Sequence, residues 1–516
     1  MPPSLAQDRD HHSVDLDGTP VTPPRSALRI AVGLTLFVQA VYLLSANGHL
    51  HGQDQECFYR MARSIARERT FAIEPLVFQN RELGGARGRD NLFYAQYAPG
   101  LPIALAPLVL VGDRMREVMS GFAADYVWLQ EGKADIAPRV LVSYFDVLVS
   151  PITAGLLFLL VIRLGYPIGA AIFTSLSFAV SSFAWGQARI LFAEPLQGLL
   201  LLAGGLLLLH AKRARSFAGG CMLALAILVK ITSLLALPAF LFLPNERGEV
   251  LCRRRSTLVA LIIPVAIALS AYGWYNLIRF GTLTATGYSA AYGGTPESSW
   301  QPIGNPLVGL YGLLLSPGRG VLWYAPLIAL AAVSARRFYV ERPVASRAFI
   351  VLAMMWLAVH SAVKGWDGGW GWGPRYLLPV LPFLLVPLAV TWRSLKGKLA
   401  CLGLFVVGVV VQLPGALVDF MASGREGLKA FEQSGYERTQ RTLTAWRNFN
   451  ISGSEIVRHS DLLSRGQLDL AWLTFGNTWL PLVTFSLATL LVLCGLALMI
   501  PPLLGKAKAA ASLPRC

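Results

Sequence analysis

Two carboxylates, Asp54 and Glu56, stand just past the first membrane-length apolar run, inside the stretch His49-Leu50-His51-Gly52-Gln53-Asp54-Gln55-Glu56-Cys57-Phe58-Tyr59. A carboxylate at a membrane mouth is able to take a proton from an attacking hydroxyl, so Asp54 and Glu56 are the candidate catalytic residues. The plainer reading is a solvated loop whose acids balance nearby arginines. A second group has complementary chemistry: Arg189 and Glu194 in Gln187-Ala188-Arg189-Ile190-Leu191-Phe192-Ala193-Glu194-Pro195, then Lys230, Arg319 in Pro317-Gly318-Arg319-Gly320, and Arg375 at the end of Trp366-Asp367-Gly368-Gly369-Trp370-Gly371-Trp372-Gly373-Pro374-Arg375-Tyr376. Arginine presents a planar fork to phosphate oxygens. Trp and Tyr stack on sugar rings or anchor at an interface. Together these residues suit an anionic lipid head that carries a sugar.

Each of them also has a structural alternative. Arg189 and Glu194 pair with each other, Lys230 snorkels to the interface, Arg319 belongs to a turn, and Arg375 anchors the apolar run that follows. Trp366, Trp370 and Trp372 form an aromatic belt. His49, His51 and Asp54 are spaced closely enough to be weighed as metal ligands, but nothing in the sequence indicates a metal or another cofactor.

The elements that must position these groups are membrane spans. The chain is 54% hydrophobic and 14% charged, with a mean hydropathy of +0.53, whereas soluble domains carry about 25% charged residues. The expected fold class is therefore an all-α polytopic membrane protein. The net charge of +16 falls in short clusters between apolar runs, with no basic stripe and interleaved aromatics, which excludes a nucleic-acid partner. The six cysteines are scattered without CxxC spacing and imply neither a disulfide framework nor a zinc site.

Apolar windows place spans at 26–46, 139–163, 167–185, 190–210, 216–229, 231–243, 257–277, 321–335, 347–363, 375–392, 399–418 and 478–502, about twelve in all on a hydrocarbon thickness of roughly 30 Å. The pair 216–229 and 231–243 is short and is alternatively one long tilted helix. Residues 1–25 lack the layout of a cleaved signal peptide and read as a disordered cytoplasmic tail before a retained first helix. With the N-terminus inside, Arg25 and Arg29, Arg163, Lys212-Arg213 and Arg215, Arg247, Arg253 to Arg255, Arg336-Arg337, Arg393, Lys396 and Lys398, and Lys506 and Lys508 all fall on the cytoplasmic side, as the positive-inside rule requires. Both termini are then cytoplasmic, in what is expected to be a bacterial inner membrane.

Three segments are left outside: 47–138, 278–320 and 419–477. The first contains Cys57 to Arg69, with Phe58, Met61, Ala62, Ile65 and Ala66 on one face and Arg60, Arg63, Arg67 and Glu68 on the other, the pattern of an interfacial amphipathic helix. It also contains Tyr97 to Leu110, whose length and prolines suit a helix that lies in or dips into the interface rather than a span. The third is long enough for a small helical cap but not for an independent domain. The organisation is thus a tail 1–25, a transmembrane catalytic domain 26–418 that includes the loop 47–138, a cap or loop 419–477, and a last span with its tail 478–516.

With those residues in place, the chain resembles the GT-C superfamily of membrane glycosyltransferases, and within it the bacterial branch related to protein O-mannosyltransferases and lipid A aminoarabinose transferases. The resemblance rests on the first span with its acidic motif, the amphipathic helix, Tyr97-Ala98-Pro99-Gly100-Leu101-Pro102, the segment Gly309 to Pro326, and Gly371-Trp372-Gly373-Pro374-Arg375-Tyr376-Leu377-Leu378-Pro379. It covers roughly Leu28 to Arg393. It implies a polyprenyl-phosphate sugar as donor, and a lipid, glycan or protein hydroxyl as acceptor. It also implies a catalytic acid in the first outer loop and lipid contacts throughout. Asp54 matches the first acid of the family's adjacent pair, and Gln55 separates it from Glu56, so either acid is a candidate base, with Asp54 preferred. The family's lysine before the prolines is missing at Gln96 to Pro99, which leaves Arg375, Arg319, Lys230, Arg189, Glu194, Tyr97 and Trp372 as the substrate-binding candidates. Direct displacement with inversion is the implied mechanism. The competing function is a transporter or flippase of a lipid-linked saccharide, which calls for inverted repeats and mid-membrane charges; Asp146 is the clearest buried acid, and no repeat is visible. A non-catalytic component of envelope assembly is a third reading.

Overall fold

The computed structural model describes residues 25–50, 52–78, 80–119, 135–210, 212–244, 250–253, 255–292, 304–435, 437, 439–474 and 479–511. The expected N-terminal tail up to residue 24, His51, Arg247, Arg254 and the stretches 120–134 and 293–303 lie outside the described residues. The protein is an all-α polytopic membrane protein. Among the described residues, six helices are long and apolar enough to cross a bilayer: Arg25–Ser45, Ile136–Arg163, Arg255–Phe280, Pro343–Ala362, Leu395–Leu417 and Trp479–Leu504. Ile168–Val180, Ala193–Leu208, Ile231–Leu241 and Leu381–Thr391 are apolar but shorter, and Arg213–Val229 and Leu327–Glu341 complete the set on which the expected spans fall.

Proline and local chemistry account for the shorter pieces. The expected span 375–392 is broken into Arg375–Leu377, Leu381–Leu385 and Leu388–Thr391, because Pro379, Pro382 and Pro387 recur within it and each lacks the N–H that continues a helix. The pair 216–229 and 231–243 is not one long helix. The backbone turns extended at Lys230 and resumes as the 3-10 turn Ile231–Leu235 and the helix Ala236–Leu241. That break carries the Lys230 side chain out of the helical stack.

The helix Gln53–Glu68 packs against the helix Gly100–Arg114 through Cys57, Phe58, Tyr59, Met61, Leu101, Leu105 and Val109, all buried. Its polar face is only partly open to water, unlike that of a purely interfacial helix: Glu68 and Arg69 at its end are exposed, whereas Arg60 and Arg63 are covered. Arg60 is buried, Arg63 pairs with Asp135 at 3.2 Å, and Arg67 pairs with Asp113 at 2.6 Å and Asp135 at 2.9 Å. Between these helices the chain forms two antiparallel ribbons, Leu76–Phe78 with Arg81–Leu83 and Gly85–Arg87 with Phe93–Ala95, elements with no counterpart in the apolar pattern. At Gly85 a Cβ would stand 2.0 Å from the Tyr94 carbonyl oxygen, so only glycine lets the second ribbon close. Beyond Leu417, Phe420–Gln433, Gln440–Phe449, Glu455–Ser464 and Ala471–Thr474 are helices, and the Asp419 side chain accepts from Met421 N and Ala422 N to start the first of them.

The bundle has two chemically distinct ends. Phe145–Arg163 carries Asp146 in its first turn and finishes at Arg163, whose Nη2 donates to the Leu209 carbonyl at 3.1 Å. At the Arg163 end, Arg342 donates to the Leu164 carbonyl at 2.6 Å, Arg393 pairs with Glu341 at 2.9 Å, and the Tyr166 hydroxyl donates to Glu341 at 3.1 Å. Asp54, Glu194, Lys230 and Arg375 gather at the other end.

Candidate active site

Gly52 is the N-cap of Gln53–Glu68, and the Gln55 side chain reaches back to accept from its N–H at 2.8 Å. The residue that separates the two acids is therefore the one that closes the first turn, as in a capping box. Asp54 and Glu56 both benefit from the positive end of the helix. Two residues of helix turn a side chain by about 200°, so the acids leave the same turn in opposite directions.

Asp54 points into the mouth. Its Oδ1 accepts from the Tyr97 hydroxyl at 2.7 Å, and its Oδ2 from Arg375 Nη1 and Nη2 at 3.1 and 3.2 Å. Gln96 Nε2 donates to the Tyr97 oxygen at 3.0 Å. Burial, and then the charge of Asp54, pushes the Tyr97 phenol well above its ordinary value, so the hydroxyl stays protonated and acts as a donor. Glu56 faces the other way, where it accepts from Arg60 Nε at 3.0 Å and from Arg139 Nη1, all three side chains being almost inaccessible. Arg139 also covers the Tyr59 ring at 4.3 Å. Glu56, one of the two acids in the sequence motif, is thus not brought into the mouth.

Arg375 is shared. Its fork lies on Asp54, while its Nε is 4.0 Å from Glu194 Oε1 and has no hydrogen-bond partner among the described residues. Glu194 accepts from Lys230 Nζ at 2.6 Å. The Lys230 ammonium sits over the Tyr376 ring at 4.4 Å, and the Arg375 guanidinium over Phe192 at 4.1 Å. Side-chain exposure falls from 28% at Asp54 through 22% at Lys230 and 13% at Arg375 to 3% at Glu194. Three groups are therefore reachable, and Glu194 lies beneath them as the counter-charge that holds both cations. Asp146, fully buried, accepts from the backbone N of Phe192 at 3.0 Å and so orients the start of the helix Ala193–Leu208 that carries Glu194. Lys230 and Arg375, two cations far apart in the chain, are brought to this end by the fold.

The remaining candidates do other work. Arg189 does not pair with Glu194; it is buried, pairs with Asp469 at 3.0 Å and donates to the carbonyls of Gly415 and Val418 at 3.3 and 3.0 Å. His49 joins the same Asp469 at 2.6 Å rather than Asp54, and no cluster of metal-binding side chains occurs among the described residues. Arg319 is buried and donates to carbonyls of the Gly369 to Gly373 stretch. Trp372 is neither a sugar platform nor a belt residue: it is fully buried, and its Nε1 donates to Gln412 at 2.7 Å.

Sequence reasoning passed over Gln96 and Tyr288. The Tyr288 ring meets Tyr97 edge to face at 5.9 Å; its only sequence cue is a place in a Gly- and Tyr-rich outer segment. Nor does the sequence show that the segment 419–477 reaches this end of the molecule, where Arg447 and Asn448 donate to Asp367.

No family model matches the chain, and no curated protein matches it. Among solved structures the chain is similar to ArnT from Cupriavidus metallidurans bound to undecaprenyl phosphate, at 14% identity and a TM-score of 0.45 over 94% of this chain and 80% of that one. It is also similar to the apo state of the same protein, at 14% identity and a TM-score of 0.44 over 91% and 76% of the two chains.

Proposed function

We propose that the chain is a membrane glycosyltransferase of the GT-C type, which transfers a sugar from a polyprenyl-phosphate donor to an acceptor hydroxyl. The observation that carries this reading is the Asp54 carboxylate held between a phenol and the fork of Arg375, with Lys230 beside them, at an accessible mouth. Asp54 takes the acceptor proton as the acceptor oxygen attacks the anomeric carbon. The bond from that carbon to the phosphate oxygen breaks, and Arg375 and Lys230 neutralise the departing polyprenyl phosphate. A phosphate is a good leaving group and needs no acid. One displacement inverts the anomeric carbon. Glu194 keeps both cations in place between turnovers. Between the two acids of the motif, Asp54 is the base, because Glu56 is saturated by two guanidinium groups. The site opens on the non-cytoplasmic side in this reading, since the basic clusters at Arg163, Arg342 and Arg393 gather at the opposite end.

The test supplies purified protein in liposomes with a panel of polyprenyl-phosphate sugars and follows transfer and hydrolysis. The native chain is expected to turn over at least one donor, Asp54→Asn to lose turnover while still binding undecaprenyl phosphate, and Arg375→Lys to weaken that binding. Full turnover by Asp54→Asn would sink the proposal. Movement of the lipid-linked sugar across the bilayer, unchanged in Asp54→Asn and without transfer, supports the transporter instead.

A further inference from the structure

Arg319 and Glu455 are each 1% exposed, and the mechanism above uses neither. Arg319 stands at the end of the turn Ser316 to Gly320. Its Nη1 donates to the carbonyls of Gly371 and, at 3.3 Å, Gly373; its Nη2 donates to the carbonyl of Gly369 and lies 3.5 Å from Glu455 Oε1. Gly368, Gly369, Gly371 and Gly373 have φ of +72°, +73°, +146° and +69°, a conformation that only glycine adopts at little cost. A stretch so wound makes no regular ladder of its own. Its carbonyls are instead collected by one guanidinium, and Pro374 and Arg375 follow directly.

Glu455, which faces that guanidinium, belongs to the third outer segment, as do Arg447, Asn448 and Arg458, which also close on the turn. Ser423 Oγ donates to Glu455 Oε2 at 3.2 Å. Asp367, at the start of the turn, accepts from Arg447 and, at 3.0 Å, from Asn448 Nδ2. The Trp370 ring lies under the Arg447 and Arg458 guanidinium groups at 4.8 and 5.9 Å. The turn that presents Arg375 to Asp54 is therefore gripped at Asp367, at Trp370 and at the Gly369 to Gly373 carbonyls.

We propose that Arg319 and Glu455 are positioning residues for Arg375, so that the docked third outer segment, Phe420 to Ser464, decides where the phosphate-facing fork stands. The inference rests on the role given to Arg375 above. A lysine at 319 keeps the charge but presents one point instead of a planar fork, and cannot hold three carbonyls in register.

Two measurements test it. In liposomes, transfer from a polyprenyl-phosphate sugar is compared for the native chain, Arg319→Lys, Arg375→Lys and the double variant, with Lys429→Ala, exposed on the same segment, as the control. Arg319→Lys is expected to cost about tenfold in kcat/KM through misplacement alone, and the double variant to lose no more than Arg375→Lys, because one loss acts through the other. Hydrogen exchange of residues 366–376 is expected to rise in Arg319→Lys and Glu455→Gln while that of Gln53–Glu68 does not. Multiplicative losses in the double variant, or unchanged exchange in 366–376, overturn the inference. A native chain that transfers nothing speaks against the proposed function, and the exchange experiment then decides the positioning role by itself.

Discussion

Asp54 and Glu56 begin in the same helical turn and end in opposite surroundings. Asp54 keeps more than a quarter of its side chain exposed and shares its cation with Glu194. Glu56 is closed in by Arg60 and Arg139, and Arg60 extends the clamp to the carbonyls of Glu74 and Pro75 at 3.0 and 3.1 Å. A carboxylate in the second position ties one helix to its neighbours and has no oxygen to offer. One in the first position stays reachable, and in the proposed function its cation turns to the departing phosphate. Each acid has two partners, so what sets them apart is exposure and the kind of partner: a phenol and a shared guanidinium for Asp54, two buried guanidinium groups for Glu56.

The comparison breaks most directly at Asp54. Asp54→Asn is expected to lower transfer by about 10²- to 10⁴-fold, the range of a lost general base, with thermal stability in detergent close to native; equal losses in Asp54→Asn and Glu56→Gln would erase the distinction. Glu56→Gln is expected to do the reverse. It removes a negative charge from between the buried Arg60 and Arg139 guanidinium groups, a cost of about 3 kcal/mol, read as a lower unfolding temperature, while kcat of the folded fraction changes by less than about threefold.

Tyr97→Phe removes a hydrogen bond to a charged acceptor, worth about 1.5 kcal/mol, and so costs roughly tenfold in kcat with unchanged undecaprenyl phosphate binding. Weakened binding would show that Tyr97 touches the donor and not only the base.

The smallest effect concerns pH and the segment Phe420 to Ser464. Burial pushes the His459 imidazole down to about 4, against the opposing pull of Glu455. Burial alone would raise the Glu455 carboxyl, but Arg458 and Arg319 outweigh it and hold it below its ordinary value. Both groups bind protons more readily when undocked than when docked, so docking is favoured at neutral pH and weakens as pH falls. His459 acts between its ordinary 6.5 and about 4, and Glu455 as pH falls below its ordinary 4.5. Limited proteolysis within 420–464 should be faster at pH 5 than at pH 7; equal protection would remove this coupling. The Cys57 thiol is no substitute reporter, because it is fully buried and inaccessible to a labelling reagent.

Much of the fold was legible because a bilayer imposes one rule on the chain: long apolar runs must be helices, since no water satisfies their backbone groups. Arg25–Ser45, Arg255–Phe280 and Leu395–Leu417 follow their apolar windows to within a few residues. The window 375–392 failed as a single helix because hydropathy does not count prolines. The ribbon Gly85–Arg87 with Phe93–Ala95 was invisible for a related reason: glycine and asparagine geometry, not hydrophobicity, makes it. The amphipathic pattern of Cys57 to Arg69 was correct, but it did not reveal that Asp113 and Asp135 cover the basic face.

By itself, the sequence determined the class of molecule and the chemical kinds of residue at its mouth, because hydropathy and charge are properties of each residue taken alone. The tertiary structure decided which of those residues meet. Lys230 and Glu194 are 36 positions apart in the chain and 2.6 Å apart in space, and Asp54 and Arg375 are 321 positions apart and joined by a forked hydrogen bond. Arg189, Arg319 and Trp372, similar to them by type, are turned into the interior instead. Residue type sets what a side chain is able to do, but electrostatic and hydrogen-bonding interactions act over a few ångströms, and only the folded chain sets those distances.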